Sequence, residues 1–131
     1  FQDRVERAKI QIRAVLDQIR IEGRVLDVYG ASTKGNILLQ VLNIGPAEVR
    51  QAIDRSPEKY GQYTITGIPI VSEAVAAEEP ADIWLCPIWQ FRESVLRREA
   101  WFVEGGGSIL LPLPKVEIVQ QGWTEIGEMD V

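Results

Sequence analysis

The residues best suited to chemistry are Val28-Tyr-Gly-Ala-Ser-Thr-Lys-Gly-Asn36, which join an apolar run to a helix-forming segment. Glycine at a strand end permits a tight turn, and a second glycine lets a ligand approach the backbone of the first helical turn. Unpaired amides there, with the hydroxyls of Ser32 and Thr33, suit a phosphate or carboxylate, and Lys34 adds a point charge. Gly30, Ala31, Ser32, Thr33, Lys34, Gly35 and Asn36 are the candidate diphosphate-binding residues. The pattern is not Walker A, because no Lys-Ser or Lys-Thr follows Gly35, and it lacks the three-glycine dinucleotide fingerprint. A plainer reading is a helix capped by Ser32 or Thr33, with the glycines serving the turn alone.

Two further groups stand near that loop in a doubly wound topology. Asp54 lies 24 residues after Gly30, close to the roughly 20-residue offset at which such a unit offers a carboxylate to a ribose. Arg55 and Lys59 follow it, and the plainer reading of Asp54 is a loop cap. The turn Pro87-Ile-Trp-Gln-Phe-Arg92 ends a long apolar strand. There Trp89 suits stacking on a ring, and Gln90 and Arg92 suit hydrogen bonds to the nucleoside or sugar side of a ligand. The alternative is that Trp89 and Phe91 are core or interface residues. On a helix over residues 91–103, Glu99 shares an arc with Phe91, Val95 and Phe102, and reads as a rim carboxylate. Cys86 reads as a packing residue, and Trp84, Trp101 and Trp123 as core or interface. No catalytic residue and no metal ligand is assigned.

Strands and helices in alternation must position these groups. Residues 3–20 carry Val5, Ala8, Ile12, Val15, Leu16 and Ile19 at helical spacing, and Gly23 stops them. Apolar runs at 24–30, 49–53, 68–71, 81–88 and 108–111 read as strands, with an edge strand expected over 115–119. Helices are expected at 36–42, 72–77 and 91–103, punctuated by Gly45-Pro46, Pro80 and Gly105-Gly-Gly107. The alternation calls for an α/β fold, a Rossmann-like three-layer sandwich with a mostly parallel sheet of order 3-2-1-4-5 behind an N-terminal helix. The expected division is a leading amphipathic connector helix at 1–23, the Rossmann-like domain at 24–119 and a tail at 120–131.

Composition narrows the function classes. The 131 residues include 14 Lys plus Arg against 19 Asp plus Glu, a net charge of −5. That balance argues against nucleic acid or an anionic membrane as partner, while leaving room for a local phosphate site. There is no histidine and one cysteine. Histidine-based catalysis, histidine-ligated zinc, an internal disulfide and a thiolate metal cluster are excluded within these residues. No uncharged run approaches the roughly 18 residues of a membrane span, and a lone apolar-flanked thiol fits a cytoplasmic location. The start at Phe1 without a methionine reads as a fragment or a trimmed chain.

The loop Val28-Tyr-Gly-Ala-Ser-Thr-Lys-Gly-Asn36 is followed in order by Asp54-Arg-Ser-Pro-Glu-Lys-Tyr-Gly61, Gly67-Ile-Pro-Ile-Val-Ser-Glu73, Trp89-Gln-Phe-Arg92, and Gly105-Gly-Gly with Leu111-Pro-Leu-Pro114. This series resembles the C-terminal domain of the S-adenosylmethionine-dependent sugar C-methyltransferases that act on nucleotide-linked keto-deoxysugars. The resemblance implies a Rossmann-like domain that helps to hold a nucleoside-diphosphate sugar. It further implies that zinc, S-adenosylmethionine and the catalytic base belong to upstream methyltransferase domains, so that these residues alone are inactive. Ser32, Thr33, Lys34 and Gly35 would hold the diphosphate, with Asp54 and Arg55 near the nucleoside. Family members commonly carry a small residue and an asparagine where Gln90 stands. A non-catalytic nucleotide- or coenzyme A-binding regulatory module, or an assembly domain, is the alternative.

Overall fold

The computed structural model describes residues 2–113 and 115–121. Pro114 and the expected tail from residue 122 on, with Trp123, lie outside them. Helix α1 (Gln2–Ile21) turns Ala8, Ile12, Val15, Leu16 and Ile19 inward, the face its spacing predicts. Strand β1 (Leu26–Tyr29) is buried along its whole length, as a central parallel strand must be. After it come α2 (Thr33–Val41), β2 (Ala52–Ile53), β3 (Ile70–Val71), α3 (Glu73–Glu78) and β4 (Ile83–Leu85). A 3-10 turn at Trp89–Phe91 leads into α4 (Arg92–Arg98), α5 (Ala100–Glu104), β5 (Ser108–Leu111) and β6 (Glu117–Val119).

The sheet has the order β3-β2-β1-β4-β5-β6. Its first five strands are parallel in the expected order 3-2-1-4-5, and β6 runs antiparallel to β5 at the edge. Helices α1 and α2 cover one face, where Ile12, Leu16, Val28, Leu39, Leu85 and Leu110 share a core. Helices α3, α4 and α5 cover the other, over Tyr29, Ile53, Trp84, Val95, Phe102 and Ile109.

The expected elements differ from the observed ones in several places. The strand expected over 49–53 keeps only Ala52 and Ile53, because the Val49 amide turns back to the Gly45 carbonyl after the Gly45-Pro46 break. The strand expected over 68–71 keeps only Ile70 and Val71; Pro69 has no amide to donate, although its carbonyl accepts from Ala52 at 2.8 Å. The helix expected over 91–103 is interrupted at Glu99, whose φ of −106° and ψ of 24° leave the helical region. Phe91, placed by a continuous wheel on the core arc, is exposed instead. The helix after β1 also starts earlier than expected, at Thr33, because the Ser32 side chain accepts from the Gly35 amide at 3.1 Å.

Candidate functional site

The carboxyl ends of β1 and β4 diverge at Gly30 and Cys86, the switch point where ligands enter open α/β sheets. Gly30 has a φ of +94°, which a side chain rarely tolerates. A Cβ there would also lie 3.4 Å from Ile88 Cδ1. The turn opens a cleft of about 280 Å³ bounded by Gly30, Ser32, Asp54, Arg55, Lys59 and Arg98. First-turn amides have no intrahelical partner. In α2 the Gly35 amide is taken by Ser32 Oγ, which leaves those of Thr33 and Lys34 open.

Asp54 acts first on the loop itself. One of its oxygens accepts from the Ala31 amide at 3.0 Å and the other from the Ser56 amide at 2.9 Å. Burial works to raise its pKa, but these amides and Lys59 outweigh burial, and the carboxyl lies below its usual range. Lys59 Nζ lies 3.6 Å from Asp54 and donates to the Ala31 carbonyl at 3.2 Å. Asp54 and Lys59 thus clamp the turn after β1 from both polarities of its backbone.

The sequence-predicted residues separate into two places. Gly30, Ser32, Asp54, Arg55 and Lys59 line the cleft. Lys34, Trp89 and Gln90 line a different groove of about 450 Å³ beside α1, with Lys9 and Ile37. A Cβ on Gly35 would meet Pro87 Cγ at 3.2 Å, so the missing side chain serves packing of α2 on the turn after β4. Asn36 is likewise engaged within the fold: its Nδ2 donates to the Ser32 carbonyl at 3.1 Å and its Oδ1 accepts from the Ile65 amide at 2.9 Å. Arg92 forms a bidentate pair with Glu117 at 2.8 and 2.7 Å and lines none of these spaces. This pairing anchors β6 to the start of α4. Thr33 is exposed and Ala31 is buried.

Glu99 corrects the rim reading: it is only 4% exposed. It accepts from Tyr29 Oη at 2.6 Å, Trp101 Nε1 at 2.8 Å and Arg98 Nε at 3.3 Å, with Arg55 at 3.7 Å. Burial alone would raise its pKa, but donation from Tyr29, Trp101 and Arg98 prevails and holds the carboxyl below its usual range. Burial, then the hydrogen bond to Glu99, pushes the Tyr29 hydroxyl up to about 12. Arg98 also donates to Tyr29 Oη. Glu99 therefore holds Arg98 of the cleft from behind and also meets Arg55, whose nearer carboxylate is Glu73 at 3.2 Å. The available signal was a carboxylate on an apolar arc.

Asp27 was also missed. It is fully buried within β1, with Arg50 at 3.0 and 2.9 Å and Gln51 at 3.0 Å. Its signal was an acid inside an apolar run, which burial permits only with a partner. Cys86 is a packing residue as expected, its thiol pushed up to about 12 by burial. Among the described residues no group of three His, Cys, Asp or Glu is placed to hold a metal, so the zinc implied for upstream domains has no fit here. No helix among them is long and apolar enough to cross a membrane.

The fold is an α/β domain with a cleft of mixed charge at the switch point of its sheet. Residues 1–114 match the family described as the C-methyltransferase C-terminal domain, and the chain belongs to that family. It is similar to the C-methyltransferase NovU of Streptomyces niveus, 32% identical over 120 residues. The match covers 91% of this chain and 29% of NovU, so the chain spans under a third of that relative's length.

Proposed function

We propose that this domain holds the nucleoside diphosphate of a nucleotide-linked keto-deoxysugar for an S-adenosylmethionine-dependent C-methyltransferase. The supporting observation is the cleft at Gly30, where Ser32, the N-cap of α2, meets Arg55, Lys59 and Arg98 beside Asp54 and Glu73. A dianion placed there gains fixed amide dipoles and charge-assisted hydrogen bonds. In the complete enzyme S-adenosylmethionine supplies the methyl group. The carbon next to the keto group is deprotonated to an enolate by a base outside these residues. This chain's contribution is to bind and orient the substrate.

Calorimetric titration with thymidine and uridine diphosphate at fixed salt tests the proposal. Lys59→Ala is expected to weaken binding by about 10- to 150-fold, the worth of a hydrogen bond to a charged group. Lys34→Ala should cost less, because that side chain opens on the other groove. Preference for adenine nucleotides or coenzyme A would support a regulatory module instead, and no binding of any nucleotide would overturn the proposal. The chain alone, given S-adenosylmethionine and a nucleotide-linked ketosugar, is expected to transfer no methyl group.

A further inference from the structure

We infer that the aromatic cavity beside the cleft is the seat of the nucleobase, with Trp101 as its stacking platform. This inference rests on the reading of the cleft given above. The cavity measures about 370 Å³ and lies between α3 and α5. Tyr29, Ile53 and Glu73 line both spaces, so cavity and cleft adjoin along one shared wall. One half carries Arg55, Lys59 and Arg98 beside Asp54 and Glu73, and the other is mostly aromatic and apolar. That division matches a ligand with a polyanion at one end and a flat, weakly polar ring at the other.

The rings around the cavity are not equivalent. Trp84 has both faces occupied: it stacks on Phe102 at 3.7 Å and on Tyr29 at 5.1 Å between ring centroids. Trp101 stands across both rings, at 77° to Trp84 and 75° to Phe102, with 5.8 Å between centroids in each case. The residue is 57% exposed and lines the cavity. Exposed tryptophan is ordinarily free to change rotamer, yet here the Nε1 hydrogen bond to Glu99 at 2.8 Å fixes the ring. A platform ordered before the ligand arrives loses little entropy on binding. Opposite it, α3 presents Ala74 and Ala77, small side chains that leave room for a ring. Glu99 therefore serves both halves, orienting Arg55 and Arg98 toward the cleft and Trp101 toward the cavity.

The test compares thymidine diphosphate with inorganic pyrophosphate on this chain, by calorimetry and by proton NMR of the base. Stacking on one aromatic ring should make thymidine diphosphate about 5- to 150-fold tighter than pyrophosphate. It should also shift the base protons upfield. Ala77→Phe fills the cavity from an exposed helix position without touching the cleft or Glu99. It is expected to remove the nucleotide's advantage and the upfield shift while leaving pyrophosphate affinity within about twofold. Trp101→Leu, which keeps the Tyr29 and Arg98 contacts of Glu99, should do the same. If thymidine diphosphate and pyrophosphate bind equally and the base protons do not move, the cleft reading stands and this inference is overturned. Both variants binding thymidine diphosphate like the parent overturns it as well. If neither ligand binds the parent, the cleft reading itself fails and the base site falls with it.

Discussion

The two faces of the sheet are built from different chemistry. Under α1 and α2 the core is aliphatic, with Ile12, Leu39, Leu85 and Leu110 nearly free of solvent. Under α3, α4 and α5 it is aromatic, and both buried carboxylates, Asp27 and Glu99, pair on that side of β1 with Arg50 and Tyr29. Aliphatic packing fills space with interchangeable, non-directional contacts. Buried acids and stacked rings are directional, and each is costly if its partners are lost. The α1 and α2 face therefore serves stability, while the opposite face also carries the geometry of a site.

The sharpest way to break this comparison is a cavity on the aliphatic side. Leu39→Ala removes a side chain that is 1% exposed in α2 and should destabilise the fold by about 2–5 kcal/mol. Urea unfolding should show that loss equally at pH 4 and pH 7, since nothing near Leu39 in that core titrates. A strongly pH-dependent loss would contradict the division between the faces.

Glu99→Gln probes the other face and should cost less, about 1–3 kcal/mol at pH 7, because an amide cannot accept from all the donors that meet there. The sign of its pH dependence follows from the folded-state pKa, which lies below the ordinary 4.5. Such a carboxyl stabilises the native state above pH 4.5 and loses that contribution as pH falls through the folded value. The gap between parent and variant should accordingly narrow below about pH 4.5. A gap that stays constant down to the acid transition would show that the Glu99 charge does not contribute.

The smallest effect is expected at the boundary between the faces. Ser32→Ala removes the cap of α2 and should cost about 1 kcal/mol in urea unfolding. Because the Gly35 amide is then freed beside the cleft, pyrophosphate affinity should hold steady or rise. A marked fall in affinity would identify the Ser32 hydroxyl as a ligand contact in its own right.

What the sequence determined by itself was local and periodic. The buried face of α1 follows from side chains three and four residues apart. The turn at Gly30 follows from a glycine after an apolar run, and the order 3-2-1-4-5 from alternating elements joined by right-handed crossovers. The ends of β2 and β3 were less legible, because a strand stops where its neighbour stops pairing and not where its own pattern weakens. The break at Glu99 was hidden for a related reason. A helical wheel assumes unbroken dihedrals, and the contacts with Tyr29 and Arg55 that accompany the break come from other elements.

Only the tertiary structure decided the composition of the site. Lys34 and Ser32 are two positions apart, yet successive residues on a helix point in different directions, and they face different spaces. Tyr29 and Glu99, 70 positions apart, share a hydrogen bond. Spacing along a chain encodes which side chains share a face of one element. The meeting of faces from different elements is set by how the whole core packs, and that determined which charged groups line the cleft.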